Sequence, residues 1–256
     1  MRGFIPPQNQ EETVFCKKAY AICEKADKMH IKSFSSFLDL RQKELFISQF
    51  NKFSGLKLEF YAGFEGDSER TVACVCDEYN DIYEYDYPVS VLHSKINGDE
   101  KLTHRDFLGA IMNLMIKREY VGDIIVEDDV CFIVCHSQMA PIIISELKKV
   151  RHSFVDFEYY YEPVVYTRRY TQQKSVTVAS LRCDAVVSAV LNCSRNEAAT
   201  LIKQGLVAVN HLDVRRSDFE IFDKDIMSIR GRGKYMLSFD GAKSRKDRFF
   251  ITYFKY

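Results

Sequence analysis

The chain has 256 residues, 46% hydrophobic and 28% charged, which supplies enough apolar side chains for real cores, excludes a disordered chain and allows two or three small domains. No apolar run approaches the ~18 residues of a membrane span and the start MRGFIPPQNQEE lacks an apolar signal core, so a protein of the reducing cytoplasm is expected. The formal net charge of zero hides an asymmetry: Val164 to Tyr256 hold 17 Lys+Arg against 9 Asp+Glu, and Met1 to Pro163 hold 19 against 27, which predicts one anion-binding face in the C-terminal third.

In chain order, residues 13 to 28 form an amphipathic helix with Val14, Phe15, Ala19, Ile22, Cys23 and Ala26 on its apolar side. Asp39 and Gln42 make a capping box for a second helix carrying Leu45, Phe46, Gln49 and Phe50. Leu56 to Ala62 and Thr71 to Cys76 alternate as two strands, with GDSER as their hairpin loop. The acidic, tyrosine-rich DEYNDIYEYDYP that follows is a surface connection, because its carboxylates would repel the phosphates of any base stacked on the tyrosines.

From Pro88 the pattern is β-α-β-β-α-β. VSVLHSKI is a strand. Thr103 caps a helix running to Ile116, and Gly122 breaks it. Asp123 to Val126 and Val130 to Cys135 are strands joined by Glu127, Asp128 and Asp129, a helix follows with Pro141 in its first turn, and Ser153 to Tyr161 is the last strand. This is the split βαβ order of ferredoxin-like and RRM folds. RRMs stack bases on aromatic residues of the central strands. Here VCFIVC offers only Phe132, so a scaffold or protein-contact role is expected for this sheet.

In the C-terminal third, Leu181, Ala185, Val186, Ala189 and Val190 mark a helix with Arg182 and Asp184 at its start. In SRNEAATLIKQGLVAVN, Ser194 and Glu197 form a capping box, Ala198, Leu201 and Ile202 keep helical spacing, and Gly205 stops the helix. Val207 to Val209 are a short strand ending at the turn former Asn210. In DKDIMSIRGRGKYMLSF two β-like runs flank Gly231, Arg232 and Gly233.

These residues resemble the S4 domain, or αL motif, a small RNA-binding domain. The likeness is carried by Arg182-Cys183-Asp184, by Ser194-Arg195 at the second helix, by Ala199, Leu201, Ile202, Gly205, Val207, Val209 and Asn210, and by Ile226 to Tyr235. Cys183 replaces the family's usual Leu, and Lys224 stands where a Gly-Asp turn usually has Gly. With KLTHRDFLGAIMNLMIKREYVGDI upstream, nearly the whole chain resembles the YlmH-type bacterial proteins. The expected fold class is α+β: an N-terminal helical and hairpin domain (1–86), an RRM-like domain (87–163) and a C-terminal S4 domain (175–256). The resemblance implies a non-enzymatic protein that binds structured RNA, rRNA or tRNA, associates as a monomer with the large ribosomal subunit and peptidyl-tRNA, and serves the rescue of stalled ribosomes. An RNA-modifying enzyme, of the pseudouridine synthase or methyltransferase class, and a module for protein partners are the alternatives.

The RNA-binding residues expected are Arg182, Ser194, Arg195, Lys203, Arg230, Arg232 and Lys234. Arg195 sits in the first turn of a helix whose free amides also face phosphate, and Arg182 opens the preceding helix, so both guanidiniums can converge on one backbone segment. Arg182 can instead pair with Asp184, Lys203 can be a solvated helix residue, and Ser194 serves first as a cap. No catalytic residue, cofactor or metal site is expected. His104-Arg105-Asp106 mimics a kinase loop, but Ile111 stands where its metal-binding Asn belongs. The eight cysteines form no C-x-x-C pair and sit in apolar runs, as buried free thiols do.

Overall fold

The computed structural model describes residues 4–97, 101–167, 170 and 172–256. The first helix, α1 (Gln10–Met29), starts at Asn9, whose side chain accepts from the Glu12 amide at 2.8 Å, and stops at His30 in the left-handed conformation. After β1 (Ser33–Leu38) comes α2 (Leu40–Phe50), where the expected capping box forms in both directions: Gln42 N donates to Asp39 Oδ1 at 2.9 Å and Asp39 N to Gln42 Oε1 at 3.0 Å. Then β2 (Leu56–Tyr61), β3 (Glu65–Gly66) and β4 (Thr71–Asp77) follow. The antiparallel order is β1-β4-β2, and Ala19, Cys23, Phe46, Ala73 and Val75 fill the core between helices and sheet. The β2 and β4 strands match the expectation. The GDSER stretch is more than a plain hairpin loop, because it begins within β3.

The middle segment contains β5 (Val89–Asn97), α3 (His104–Asn113), β6 (Val121–Glu127), β7 (Val130–His136), α4 (Ala140–Glu146), β8 (Lys149–Val150), β9 (Ser153–Val155) and β10 (Glu158–Tyr159). Its sheet has the order β6-β7-β5-β9-β8, with β10 also on β5. The β-α-β-β-α-β series is therefore present, its last strand split into β9 and β10 around the buried Phe157. Two boundaries differ from the expectation. The α3 helix ends at Asn113, not Ile116, because Met115 turns into the left-handed region at φ 61. Gly122 does not end that helix but lies inside β6. A Cβ there would sit 2.7 Å from Phe37 Cε1, so the glycine permits a close approach. Beyond β10, β11 (Val165–Tyr166) runs parallel to β3.

Strand alternation gives this sheet two faces. Leu92, Ile124, Ile133 and Cys135 pack with Phe107 and Ile111 of α3 and Ile143 of α4. On the other face Ile125 and Val134, with Val89 and Val91, pack against Phe37, Ala62, Phe64, Val72 and Tyr87. Polar groups tie the same segments together: the half-buried Arg70 donates to the carbonyls of Val121 (3.1 Å) and Phe37 (2.8 Å), and the buried Asp123 accepts from the amides of Glu69 (2.8 Å) and Arg70 (3.2 Å). Residues Ile5–Thr167 form one compact unit.

The rest of the chain forms a second unit. It holds β12 (Gln172–Val178), α5 (Cys183–Leu191), α6 (Arg195–Lys203), β13 (Val207–Val209), β14 (Leu212–Asp213), β15 (Ile226–Ile229), β16 (Gly233–Ser238) and β17 (Phe249–Lys255). The antiparallel order is β12-β17-β16-β15-β13-β14. Val186, Val187 and Val190 of α5 and Ala198 and Ile202 of α6 pack on Val207, Met227, Leu237 and Ile251. Local chemistry follows the sequence closely. The α6 helix closes in a Schellman motif, with Leu206 N donating to Leu201 O and Gly205 N to Ile202 O around Gly205 at φ 70. Asn210 and His211, both at positive φ, make the tight turn between β13 and β14. Lys224 takes the left-handed conformation (φ 64) that its usual glycine would adopt freely. All eight cysteines are free, and all but Cys193 are buried.

Candidate nucleic-acid interface

Arg182 is the N-cap residue of α5, and Arg195 is the first residue of α6. The short link between the helices brings both beside Asp184, in the first turn of α5. Arg182 donates from Nε to Asp184 Oδ1 at 3.1 Å and from Nη2 to Oδ2 at 3.2 Å, and Arg195 donates from Nη2 to Oδ1 at 2.9 Å. The Asp184 side chain is 11% exposed, while those of Arg182 and Arg195 are 46% and 54% exposed. One nearly buried carboxylate thus holds two half-exposed guanidiniums. Burial pushes the Asp184 carboxyl up, but hydrogen bonds from Arg182 and Arg195 outweigh it and hold the group below its ordinary value. The expected pairing of Arg182 with Asp184 and the expected convergence of the two arginines are the same arrangement.

Ser194 is a cap, its Oγ accepting from the Glu197 amide at 3.1 Å, but the expected return bond from the Ser194 amide to the Glu197 side chain does not form, so only half of the capping box is made. Lys203 is exposed at the far end of α6, about 12 Å along the axis from Arg195 at 1.5 Å per residue. Arg230, Arg232 and Lys234 lie on the β15–β16 hairpin, the first two exposed. The Arg230 amide donates to Leu206 O at 2.9 Å, which seats the hairpin against the end of α6. The charge of Arg232 reaches Cys193, just before the α6 cap, where it opposes the burial and the Glu197 charge that raise the thiol. Lys234 instead lies over the Tyr256 ring, 5.0 Å from its centroid.

Sequence reasoning passed over two residues here. Arg216 forms an ion pair with Asp218 at 2.8 Å, and Asp218 in turn acts on Arg182. The chain at Ser217–Ile221 runs beside Leu181–Cys183 through Cys183 N to Phe219 O at 2.7 Å and Ile221 N to Leu181 O at 2.8 Å. The tandem Arg215-Arg216 was the available signal, but nothing in the local sequence placed it next to α5.

On the RRM-like sheet, Phe132 has company: its ring lies 5.2 Å from Tyr160 and 6.2 Å from His93, and His93 lies 4.8 Å from Tyr160. These side chains share the face that Ile125 and Val134 bury against the N-terminal segment. His93 Nε2 is 3.0 Å from the Glu158 carboxylate, which places a negative charge at the cluster. Among the described residues no group of three or more His, Cys, Asp or Glu side chains is arranged to hold a metal ion, and no helix is long and apolar enough to cross a membrane.

Comparison with known proteins bears out the YlmH-type resemblance. Residues 83–161 match the family model described as "Putative RNA-binding domain in YlmH". The chain is 28% identical over 222 residues to "Ribosome-associated protein quality control protein P2" of Bacillus subtilis (strain 168), covering 86% of this chain and 85% of the relative. Among solved structures, "Cell division protein ylmH from Streptococcus pneumoniae" shares the fold at a TM-score of 0.52 and 22% identity, over 62% of this chain and 96% of that one.

Proposed function

We propose that this chain is a non-enzymatic, monomeric RNA-binding protein of the bacterial cytoplasm that works on the ribosome in the quality control of stalled translation. In this reading its C-terminal S4 domain holds structured rRNA or tRNA on the large subunit beside peptidyl-tRNA. The observation that carries the proposal is the pair of guanidiniums, Arg182 and Arg195, fixed by Asp184 at the starts of two helices. A guanidinium bonds phosphate oxygens through a planar fork, and one already oriented loses less freedom on binding than a mobile lysine does. The helix-start amides of α6 add their own attraction for anions. The 28% identical relative, whose name states ribosome association and quality control, supports the cellular setting. The domain limits 1–86, 87–163 and 175–256 remain part of the proposal, with the last as the RNA-contacting piece.

The test is co-sedimentation of the full chain with purified ribosomal subunits at rising salt. Association with the large subunit that weakens steeply with salt is expected. Absence from ribosomes, or a new modified nucleoside in rRNA or tRNA that depends on the protein, would overturn the reading.

A further inference from the structure

The C-terminal sheet buries one face under α5 and α6, and among the described residues of this unit no helix packs on the other. Along β17, Ile251 and Tyr253 point into the core, so alternation sends Phe250, Phe254 and Tyr256 to the opposite face. In β16, Tyr235 and Leu237 are buried, which puts Lys234 on that same outer face. The side chains assemble there. The Tyr170 ring lies 5.0 Å from Phe254 and 5.6 Å from Tyr256, and Lys234 Nζ lies 5.0 Å from the Tyr256 ring centroid. Phe250, four residues before Phe254 along the same face, is 46% exposed, and the other three rings are half-buried.

We propose that this outer face, centred on Tyr170, Phe254, Tyr256 and Lys234, is a stacking surface for unpaired RNA nucleotides, separate from the arginine pair at the helix starts. The inference rests on the reading of the chain as an RNA-binding protein. Rings interleaved with a cation on an open sheet are the chemistry that takes single strands, because every base has a π-face and each phosphate needs neutralising. Charge on this face is compatible with RNA, since Lys234 lies within the ring cluster. Strand register places a single carboxylate on this face among the described strands, Asp213, on the far edge strand β14. The aromatic cluster of the RRM-like sheet, by contrast, has Glu158 against its histidine.

The experiment compares the full-length chain with Tyr170→Ala/Tyr256→Ala and Tyr170→Phe/Tyr256→Phe variants. Fluorescence anisotropy reads binding to a short single-stranded oligoribonucleotide and to an RNA hairpin over a salt series. The alanine pair should weaken single-strand binding roughly tenfold or more while leaving the slope against salt and the hairpin affinity unchanged. The phenylalanine pair should bind as wild type does. Photocrosslinking of 4-thiouridine oligomers to the wild-type chain, read by peptide mass spectrometry, should mark β17 or Tyr170, and it serves also if the alanine pair fails to fold. Undiminished single-strand binding by a folded alanine pair, or crosslinks confined to α5 and α6, would overturn the inference. A wild-type chain that binds the hairpin but not the single strand defeats the stacking surface alone, whereas one that binds neither RNA and no ribosome defeats the proposed function as well.

Discussion

Arg195, at the first position of α6, donates to the carboxylate of Asp184, in the first turn of α5, at 2.9 Å. The bond joins two helix starts and fixes a guanidinium that uses one of its five N–H groups there, on a side chain that is 54% exposed. Asp184 is therefore a positioning residue. Its charge orients the arginines without cancelling both, since two cations share one anion.

Arg182→Ala and Arg195→Ala should each weaken ribosome association roughly ten- to hundred-fold, the scale of a lost charge-assisted phosphate bond. Both side chains are half-exposed, so melting temperatures should move by no more than about 3 °C. Lysine at position 195 should restore only part of the binding, because it keeps the charge and loses the fork. Co-sedimentation beside a thermal melt checks this. Wild-type sedimentation by both alanine variants would remove the site.

The salt dependence of RNA binding gives an independent measure. Each of these two alanine changes should lower the slope of log affinity against log salt by about 0.7 to 0.9, one phosphate contact's worth. Filter binding over a salt series reads it, and unchanged slopes would mean the arginines do not touch phosphate.

Asp184 sets a pH dependence whose sign follows from its bonds. Its folded-state pKa lies below the ordinary value near 3.8. The stability it contributes is therefore present above that value and lost as the pH falls through the folded-state pKa. Asp184→Asn should flatten this part of the stability curve as the pH falls below the ordinary carboxylate range, and should also weaken RNA binding at neutral pH, since the arginines lose their anchor. Urea unfolding at stepped pH tests the first effect, and superimposable curves for variant and wild type would refute it.

In the N-terminal segment, Arg41 is 3% exposed and bonds Glu12 at 2.8 and 2.9 Å as well as the carbonyls of Ile5 and Pro6. Arg41→Ala leaves Glu12 with only the Gln8 amide as a donor and two carbonyls unanswered, and should cost about 3 kcal/mol, toward the lower end for a broken buried pair because Glu12 also retains some exposure. Chemical denaturation measures the loss, and a change near zero would mean water replaces the guanidinium.

Lys224→Gly should stabilise the chain by about 1 kcal/mol or less. It relieves a left-handed side-chain residue while adding some freedom to the unfolded chain. A lowered melting temperature would show that the Lys224 side chain contributes more than its backbone costs.

Much of this architecture was legible because local and tertiary demands agree. The Asp39 and Ser194 caps, the Gly205 stop and the alternating runs around Val130 each carry their signal within a few residues. The β1 strand was not legible. SFSSFL alternates poorly because Ser33 and Ser35 stand at buried positions, and Ser35 Oγ is accommodated there by accepting from the Ala73 amide at 2.8 Å, a partner 38 residues away. Gly122 reads as a helix breaker until Phe37 is known to lie against it. The candidate site divides in the same way. Arg182, Asp184 and Arg195 stand at helix starts that sequence punctuation reveals, whereas the place of Arg216 beside them depends on a return of the chain that no local pattern announces.

The packing of Val134 and Ile125 against Phe37 and Val72 also has a practical consequence. A fragment beginning near Tyr87 would carry every strand of the RRM-like sheet yet expose an oily surface that the intact chain keeps dry. Expressed alone, it would be prone to stick to itself or to bind any apolar probe offered, and positive results from such a fragment in interaction screens would report the cut, not the protein.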